Sequence, residues 1–199
     1  IKNWWGTNVN AEIQAAVSPY VSFDPWYASA AMDTLDSAKP VINETKGTSY
    51  DTIQAAISDA ASGDSIYVKA GTYRENVNIN KNNLTLKGAG AANTKIVATT
   101  ATASALTFSS SGSTAEGFTL THEYTTAELS AWSTINNNGV SFASNHNGNT
   151  LKNCTVTLNR NGIYLNTTQN NQILNNTITN NRTGINMTNN INGTRIEGN

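Results

Sequence analysis

Residues 149–163 read Asn149-Thr150-Leu151-Lys152-Asn153-Cys154-Thr155-Val156-Thr157-Leu158-Asn159-Arg160-Asn161-Gly162-Ile163. Twenty-two positions later the chain reads Asn171-Gln172-Ile173-Leu174-Asn175-Asn176-Thr177-Ile178-Thr179-Asn180-Asn181-Arg182-Thr183-Gly184-Ile185. Ten of the fifteen aligned positions are identical or exchange one aliphatic residue for another, among them the apolar pairs 151/173, 156/178 and 163/185. A further copy begins at Ile196, and Gly139-Val140 stands one period before Gly162-Ile163. Upstream, Glu116-Gly117-Phe118-Thr119-Leu120-Thr121 resembles Lys152 to Thr157, with a longer insertion between them. Each period holds three short β-type patches bounded by Asn or Gly. Each patch supplies only two or three inward residues, too few to bury a core alone. Stacking coils about 4.8 Å apart places like residues above like and makes a continuous interior.

Working outward from that repeat, Asn at 153/175, 159/181 and 176/199 is expected to pass amide hydrogen bonds from coil to coil and to accept left-handed turns. Gly139, Gly162 and Gly184 are expected at corners with positive φ. A helical solenoid is excluded, because no window carries an i, i+3, i+4 pattern over two successive helices. The segment Tyr50–Ala61 has helical spacing, with Ile53, Ile57 and Ala60 as its stripe and Ser49 or Asp51 as N-cap. It is expected to lid the coil. A second short helix is expected from Asn10 to Val17.

Composition narrows the function classes. The chain has 199 residues, 12 Lys and Arg against 13 Asp and Glu, and only 13% charged residues, about half the roughly 25% of an average chain. A nucleic-acid binder needs a basic face, which this balance does not supply. No apolar run is long enough for a membrane helix, so no membrane insertion is expected. The 31 Asn and 28 Thr make up about 30% of the chain, yet aliphatic residues recur through them at regular intervals, which marks the Asn as structural. Cys154 is the sole cysteine, so no intrachain disulfide forms. His122 and His146 have no local ligand partner, and no metal site or cofactor is expected. The opening Ile1-Lys2-Asn3 carries neither a start Met nor a signal segment, as expected of a processed or excised product.

Several stretches then become recognisable. Thr52-Ile53-Gln54-Ala55-Ala56-Ile57, Gly63-Asp64, Ile66-Tyr67-Val68-Lys69-Ala70-Gly71-Thr72-Tyr73-Arg74-Glu75-Asn76-Val77 and Leu84-Thr85-Leu86-Lys87-Gly88-Ala89-Gly90 resemble the opening of right-handed parallel β-helix proteins of the pectin-lyase-like superfamily. Pectin methylesterases give the nearest likeness. The later Asn-rich repeat is similar to the carbohydrate-binding and sugar-hydrolase β-helix repeat of secreted and surface proteins. Asn3-Trp4-Trp5-Gly6, with Asp24-Pro25-Trp26, looks like segments that end β-helix domains in large surface adhesins. The expected fold is therefore all-β: a right-handed parallel β-helix of about seven coils over residues 40–199, after a capping or inter-subunit segment at 1–39.

The resemblance implies catalysis by two aspartates: an acid in a Gln-Asp-Thr-Leu-Tyr type segment and a nucleophile on a neighbouring coil. The stretch put in correspondence is Asn159-Arg160-Asn161-Gly162-Ile163-Tyr164, which has no Asp. From Gly90 onward the chain has no Asp and only four Glu, at 116, 123, 128 and 197. Arg160 and Arg182 are candidates for a lyase base or a clamp on acidic sugars. Glu116 and Glu123 are a candidate acid pair. Trp4, Trp5, Trp26 and Trp132 are candidates for stacking on sugar rings or for burial.

No catalytic residue is assigned on this basis. The leading expectation is a non-enzymatic extracellular or cell-surface structural protein: a subunit of a head-to-tail filament, surface layer or adhesin stalk. Its partner would be itself, with surface glycans as a further partner. Ile1, Asn3, Trp4 and Trp5 would dock on Ile196, Glu197 and Asn199 of a neighbour by strand addition; the alternative is that both ends are cut points in a tandem protein. Among eight Asn-x-Ser/Thr sequons, Asn166 and Asn186 are the expected accessible glycosylation sites, at corners. The second functional reading is a polysaccharide-active enzyme or carbohydrate-binding module of the same superfamily.

Overall fold

The computed structural model describes residues 39–129 and 137–199. Val41–Asn43 (β1) and Thr48–Tyr50 (β2) form an antiparallel hairpin, followed by helix α1, Ile53–Asp59. Among the described residues sixteen further strands complete a right-handed parallel β-helix of three sheets. The first sheet stacks Ser65–Val68 (β3), Thr85–Gly88 (β6), Thr114–Glu116 (β9), Thr150–Lys152 (β12), Gln172–Leu174 (β15) and Arg195–Glu197 (β18), all parallel. The β1–β2 hairpin lies antiparallel along the outer edge of β3. The second sheet stacks Gly71–Arg74 (β4), Thr94–Val97 (β7), Thr119–Thr121 (β10), Thr155–Thr157 (β13) and Thr177–Thr179 (β16). The third stacks Val77–Ile79 (β5), Leu106–Phe108 (β8), Asn138–Phe142 (β11), Asn161–Asn166 (β14) and Thr183–Thr188 (β17). A short helix α2, Thr126–Leu129, precedes β11.

Among the described residues these make five full coils and the first strand of a sixth, fewer than the seven or so expected. Chain is consumed between β7 and β8 and between β10 and β11, where the connections run longer than in the regular repeat. The expected register holds. Leu151 pairs with Ile173, Val156 with Ile178, Ile163 with Ile185 and Ile173 with Ile196. Alternation of side chains on a strand sends every second residue inward. Leu151, Val156, Ile163 and Ile173 are fully buried, and Ile178 and Ile185 pack partly buried against the same core. One column, Ile79, Phe108, Phe142 and Leu165, runs down the third sheet, with the two Phe rings stacked at 4.7 Å between centroids.

The Asn residues do two separate jobs. Asn153 and Asn175 take left-handed backbone, at φ 53° and 54°. Asn159/Asn181 and Asn176/Asn199 instead form ladders: each upper amide Nδ2 donates to the Oδ1 of the Asn one coil on, at 3.0 and 2.8 Å. The glycine expectation is corrected. Gly139, Gly162 and Gly184 have no positive φ and sit inside strands. At Gly162 the requirement is close approach: a Cβ there would lie 2.5 Å from the Gly184 carbonyl oxygen and 2.9 Å from Asn181 Nδ2. The ladder amide and the next strand occupy the space a side chain would need.

The lid is shorter than expected, because Thr48–Tyr50 joins the β1 hairpin and leaves Thr52 as the N-cap. Thr52 Oγ1 accepts from the Ala55 N–H at 3.1 Å, and the Glu75 carboxylate accepts from Ile53 and Gln54 N–H at 3.0 and 2.9 Å. All three leading helix donors are thus satisfied, two of them by a charge suited to the positive end of the helix dipole. Ile53, Ala56 and Ile57 face inward, and α1 packs against β1, β2, β3 and β5. The Asn10–Val17 helix expectation lies outside the described residues.

Buried Asp64 ties the hairpin to the first coil. Its Oδ2 accepts from Asn43 Nδ2 at 2.8 Å and from the Ala61 N–H at 2.9 Å. These two bonds, Asn43 first, hold the carboxyl below its ordinary value of 3.8. A depressed carboxyl stabilises the fold above its unfolded value and ceases to do so as pH falls through the lower folded value. The thermal midpoint is therefore expected to drop with pH below about 4, and Asp64→Asn should flatten part of that slope, as read by circular dichroism melts across the acid range. Equal slopes in both proteins would refute the assignment.

Candidate functional site

Outward positions of the first sheet form a polar column. Tyr67, Lys87, Glu116 and Lys152 are successive register partners on β3, β6, β9 and β12. Each alternates with a buried residue: Ile66, Leu86, Ala115 and Leu151. The strand period therefore turns all four side chains to the same outer face, with neighbouring strands about 4.8 Å apart.

A cavity of about 480 Å³ lies over this column, lined by Tyr67, Lys87, Gly88, Ala89, Gly90, Glu116, Gly117 and Asn153. At its floor Gly88 is an inward position of β6: a Cβ there would meet the Gly117 carbonyl oxygen at 2.4 Å and the buried Phe118 ring at 2.9 Å, so this strand lies close against the next coil. Glu116, one of the lining residues, pairs through Oε2 with Lys152 Nζ at 3.0 Å, and its side chain is only 20% exposed. Glu116 thus stands between two cationic positions of the column, Lys87 on β6 and Lys152 on β12.

Glu116 and Glu123 are not brought together. Glu116 is on the first sheet. Glu123 follows β10 of the second sheet, pairing with Arg74 at 3.1 Å and Lys95 at 3.4 Å. Arg160 and Arg182 are stacked as read, at successive turns into β14 and β17: the Thr183 N–H donates to the Arg160 carbonyl, and the Arg182 N–H to the Asn159 carbonyl at 3.1 Å. Of the segment Asn159–Tyr164, Asn161 to Tyr164 belong to β14 of the third sheet and Asn159 and Arg160 to the turn before it, whereas the groove is on the first sheet. His122 is committed to the scaffold, its Nδ1 2.7 Å from Asn159 Oδ1 and its Nε2 2.8 Å from the Ala103 carbonyl. Among the described residues no three His, Cys, Asp or Glu side chains gather to hold a metal.

Ile1, Asn3, Trp4, Trp5, Trp26 and Trp132 lie outside the described residues. Ile196 and Glu197 are on β18, and the Asn199 side chain is engaged with Asn176 and the Ile173 carbonyl. Asn166 ends β14. Asn186 is not at a corner: it stands within β17 opposite Tyr164, because β17 runs on to Thr188. Sequence reasoning missed Tyr67, Lys87 and Lys152. Extending the alternation outward from the buried residues of each coil would have found them.

The pectinesterase family model matches residues 39–181. Among solved structures, pectin methylesterase from Yersinia enterocolitica is similar at 18% identity and a TM-score of 0.54, over 63% of this chain and 48% of that one. Pectin methylesterase PemA from Erwinia chrysanthemi is similar at 18% identity and a TM-score of 0.50, over 67% and 52%. A pectin methylesterase in complex with a hexasaccharide gives 20% identity and a TM-score of 0.50, over 67% and 52%. The chain thus spans about half the length of these structures. Among curated protein sequences nothing matches.

These findings overturn the expectation of a non-enzymatic filament, surface-layer or adhesin-stalk subunit, and with it the assignment as no enzyme. The missing Asp pair excluded one catalytic arrangement. It did not exclude chemistry from a Glu and Lys column on another sheet, which irregular insertions hide from a fixed period. By its match over residues 39–181, most of its length, the chain belongs to the pectinesterase family.

Proposed function

We propose that this chain is a polysaccharide-active esterase, acting outside the cell on a methyl-esterified uronate polymer bound in the groove of the first sheet. The observation that carries the reading is the half-shielded Glu116 between Lys87 and Lys152 in the 480 Å³ cavity, in a chain of the pectinesterase family. Tyr67 offers a ring face for a sugar. Lys87 polarises the ester carbonyl and receives the charge that develops on its oxygen. Glu116 takes a proton from the water that attacks the carbonyl carbon. Collapse of the tetrahedral adduct breaks the bond to the methoxy oxygen, and Glu116 returns the proton to it. One ester and one water give one carboxylic acid and one methanol. Among the described residues no helix is long and apolar enough to cross a membrane.

Methanol release from highly esterified pectin tests the proposal. Glu116→Gln keeps the shape of the side chain and removes the base, so kcat should fall about a hundredfold or more. No release by the wild-type chain, or release undiminished in the variant, would overturn it.

A further inference from the structure

His122 follows β10, and its ring lies between two oxygens. Nδ1 is 2.7 Å from Asn159 Oδ1, and Nε2 is 2.8 Å from the Ala103 carbonyl oxygen. Neither oxygen has a proton to give. Ala103 offers a backbone carbonyl, and the Asn159 amide is held one way round. Its Nδ2 sits among three acceptors: the Thr157 and Leu120 carbonyls at 2.9 and 3.2 Å and Asn181 Oδ1 at 3.0 Å. Turning that amide over would set its own oxygen against all three. A neutral imidazole has one N–H and one lone pair. Whichever nitrogen carries the proton, the other then turns a lone pair on an oxygen at hydrogen-bond distance, and one buried bond goes unmade. Only the imidazolium, with a donor on each nitrogen, satisfies both oxygens.

The ring joins the two stretches that depart from the regular repeat. Ala103 lies in the connection between β7 and β8, and His122 opens the one between β10 and β11. Asn137 ties the same two connections a second time, its Nδ2 donating to the Ala101 carbonyl at 2.7 Å and lying 3.2 Å from the Tyr124 hydroxyl. The Tyr124 ring stacks on His122 at 5.6 Å between centroids, with 2° between planes. Glu123 between them takes a left-handed φ of 59°, a strained place for a residue with a Cβ. Thr121 Oγ1, accepting the Glu123 N–H at 2.8 Å, and the ion pairs to Arg74 and Lys95 hold it there. The ionisable groups on the elements around the ring are Glu123 and Tyr124 beside it, Arg160 next to Asn159, and Arg182 one coil on. Residues 98–105 carry none.

We propose that His122 is a pH-sensitive latch between the two long connections. Doubly protonated, it bonds Asn159 and Ala103 together; neutral, it keeps one and releases the other. Asn159 is fully buried and fixed in its ladder, whereas Ala103 is half-buried in a connection, so the bond given up is the one to Ala103. An imidazole takes its second proton in the mildly acidic range. The unfolded chain holds neither oxygen against the ring, so protons favour the closed latch and raising the pH opens it, the proton passing to solvent.

Nuclear magnetic resonance tests this in a His146→Gln background labelled with nitrogen-15 histidine, where His122 is the one imidazole of the chain. At about pH 5.5 both ring nitrogens should be protonated, and at about pH 8 the one facing Asn159 alone. Hydrogen exchange, corrected for its intrinsic pH dependence, reads the loop. The Ala103 and Ala105 amides, which donate to the Thr100 and Asn138 carbonyls at 3.2 and 3.3 Å, should lose protection about tenfold or more over that interval, the loss of one charge-assisted bond. Thr177, whose N–H donates to the Cys154 carbonyl at 2.8 Å between regular coils, should not change. His122→Gln, which does not titrate, should abolish the pH dependence at Ala103 and Ala105.

A ring that stays singly protonated at about pH 5.5 would overturn the latch. So would ring titration that leaves Ala103 and Ala105 unmoved, or the same pH dependence persisting in His122→Gln. If that variant does not fold, the ring nitrogens and the two amides of the His146→Gln protein decide the matter alone.

Discussion

Phe142→Ala is expected to lower stability by about 3–5 kcal/mol, the range for removing a fully buried aromatic side chain. Phe142 has no exposed surface and stacks on Phe108 at 4.7 Å with 22° between planes. Both rings fill the interior where the third sheet turns inward, with Ile79 on one side and Leu165 on the other. A coil contacts only its neighbours, so the cavity cannot be filled from elsewhere by collapse of a distant layer. Urea unfolding should show a lower midpoint. Phe142→Leu should lose less, because it keeps part of the volume. A loss below about 1 kcal/mol for the Ala variant would mean that the coils relax into the gap, against the cavity account.

Asn159→Ala is the second large effect, expected at about 2–4 kcal/mol from several orphaned buried groups rather than from lost volume. Asn159 is fully buried. Its Nδ2 donates to the Thr157 carbonyl at 2.9 Å, the Leu120 carbonyl at 3.2 Å and Asn181 Oδ1 at 3.0 Å. Its Oδ1 faces His122 Nδ1 at 2.7 Å. Three oxygen acceptors around Nδ2 fix which way the amide points. Asn159→Asp, nearly the same shape but lacking the donors, should be destabilised as well. That variant distinguishes hydrogen bonding from packing: stability retained in Asn159→Asp would make the ladder incidental. A double variant with Asn181→Ala should lose less than the sum of the singles, because the two side chains share a bond.

The coil architecture was legible in the sequence because its determinants are local and repeated. Leu151 over Ile173 and Val156 over Ile178 follow from one offset, and the pairing obeys it residue for residue. The glycines were legible as positions but not as reasons. Gly162 recurs because Asn181 Nδ2 and the Gly184 carbonyl come too close for a Cβ, a contact between coils that no single-strand pattern encodes. The groove was not legible from the fixed period. Tyr67, Lys87, Glu116 and Lys152 are spaced 20, 29 and 36 apart, since the connections after β7 and β10 lengthen the middle coils. The regular period leads instead to Arg160 and the absent Asp by the third sheet, while the carboxylate facing the cavity is a Glu on the first.

Cys154 stands where the next coils place Asn176 and Asn199, so a thiol takes a slot otherwise filled by ladder amides. The Asn176 Oδ1 still accepts the Cys154 N–H at 3.0 Å, and the sulfur points to the Lys152 carbonyl at 3.3 Å. Burial pushes the thiol up to about 12. Disulfide reagents attack the thiolate, so in the closed coil this group is chemically silent. It becomes reactive only when the fourth coil separates from its neighbours. As the one thiol in 199 residues, it acts as a stopwatch: the rate at which a reagent labels it counts the openings of a single rung in the middle of the ladder.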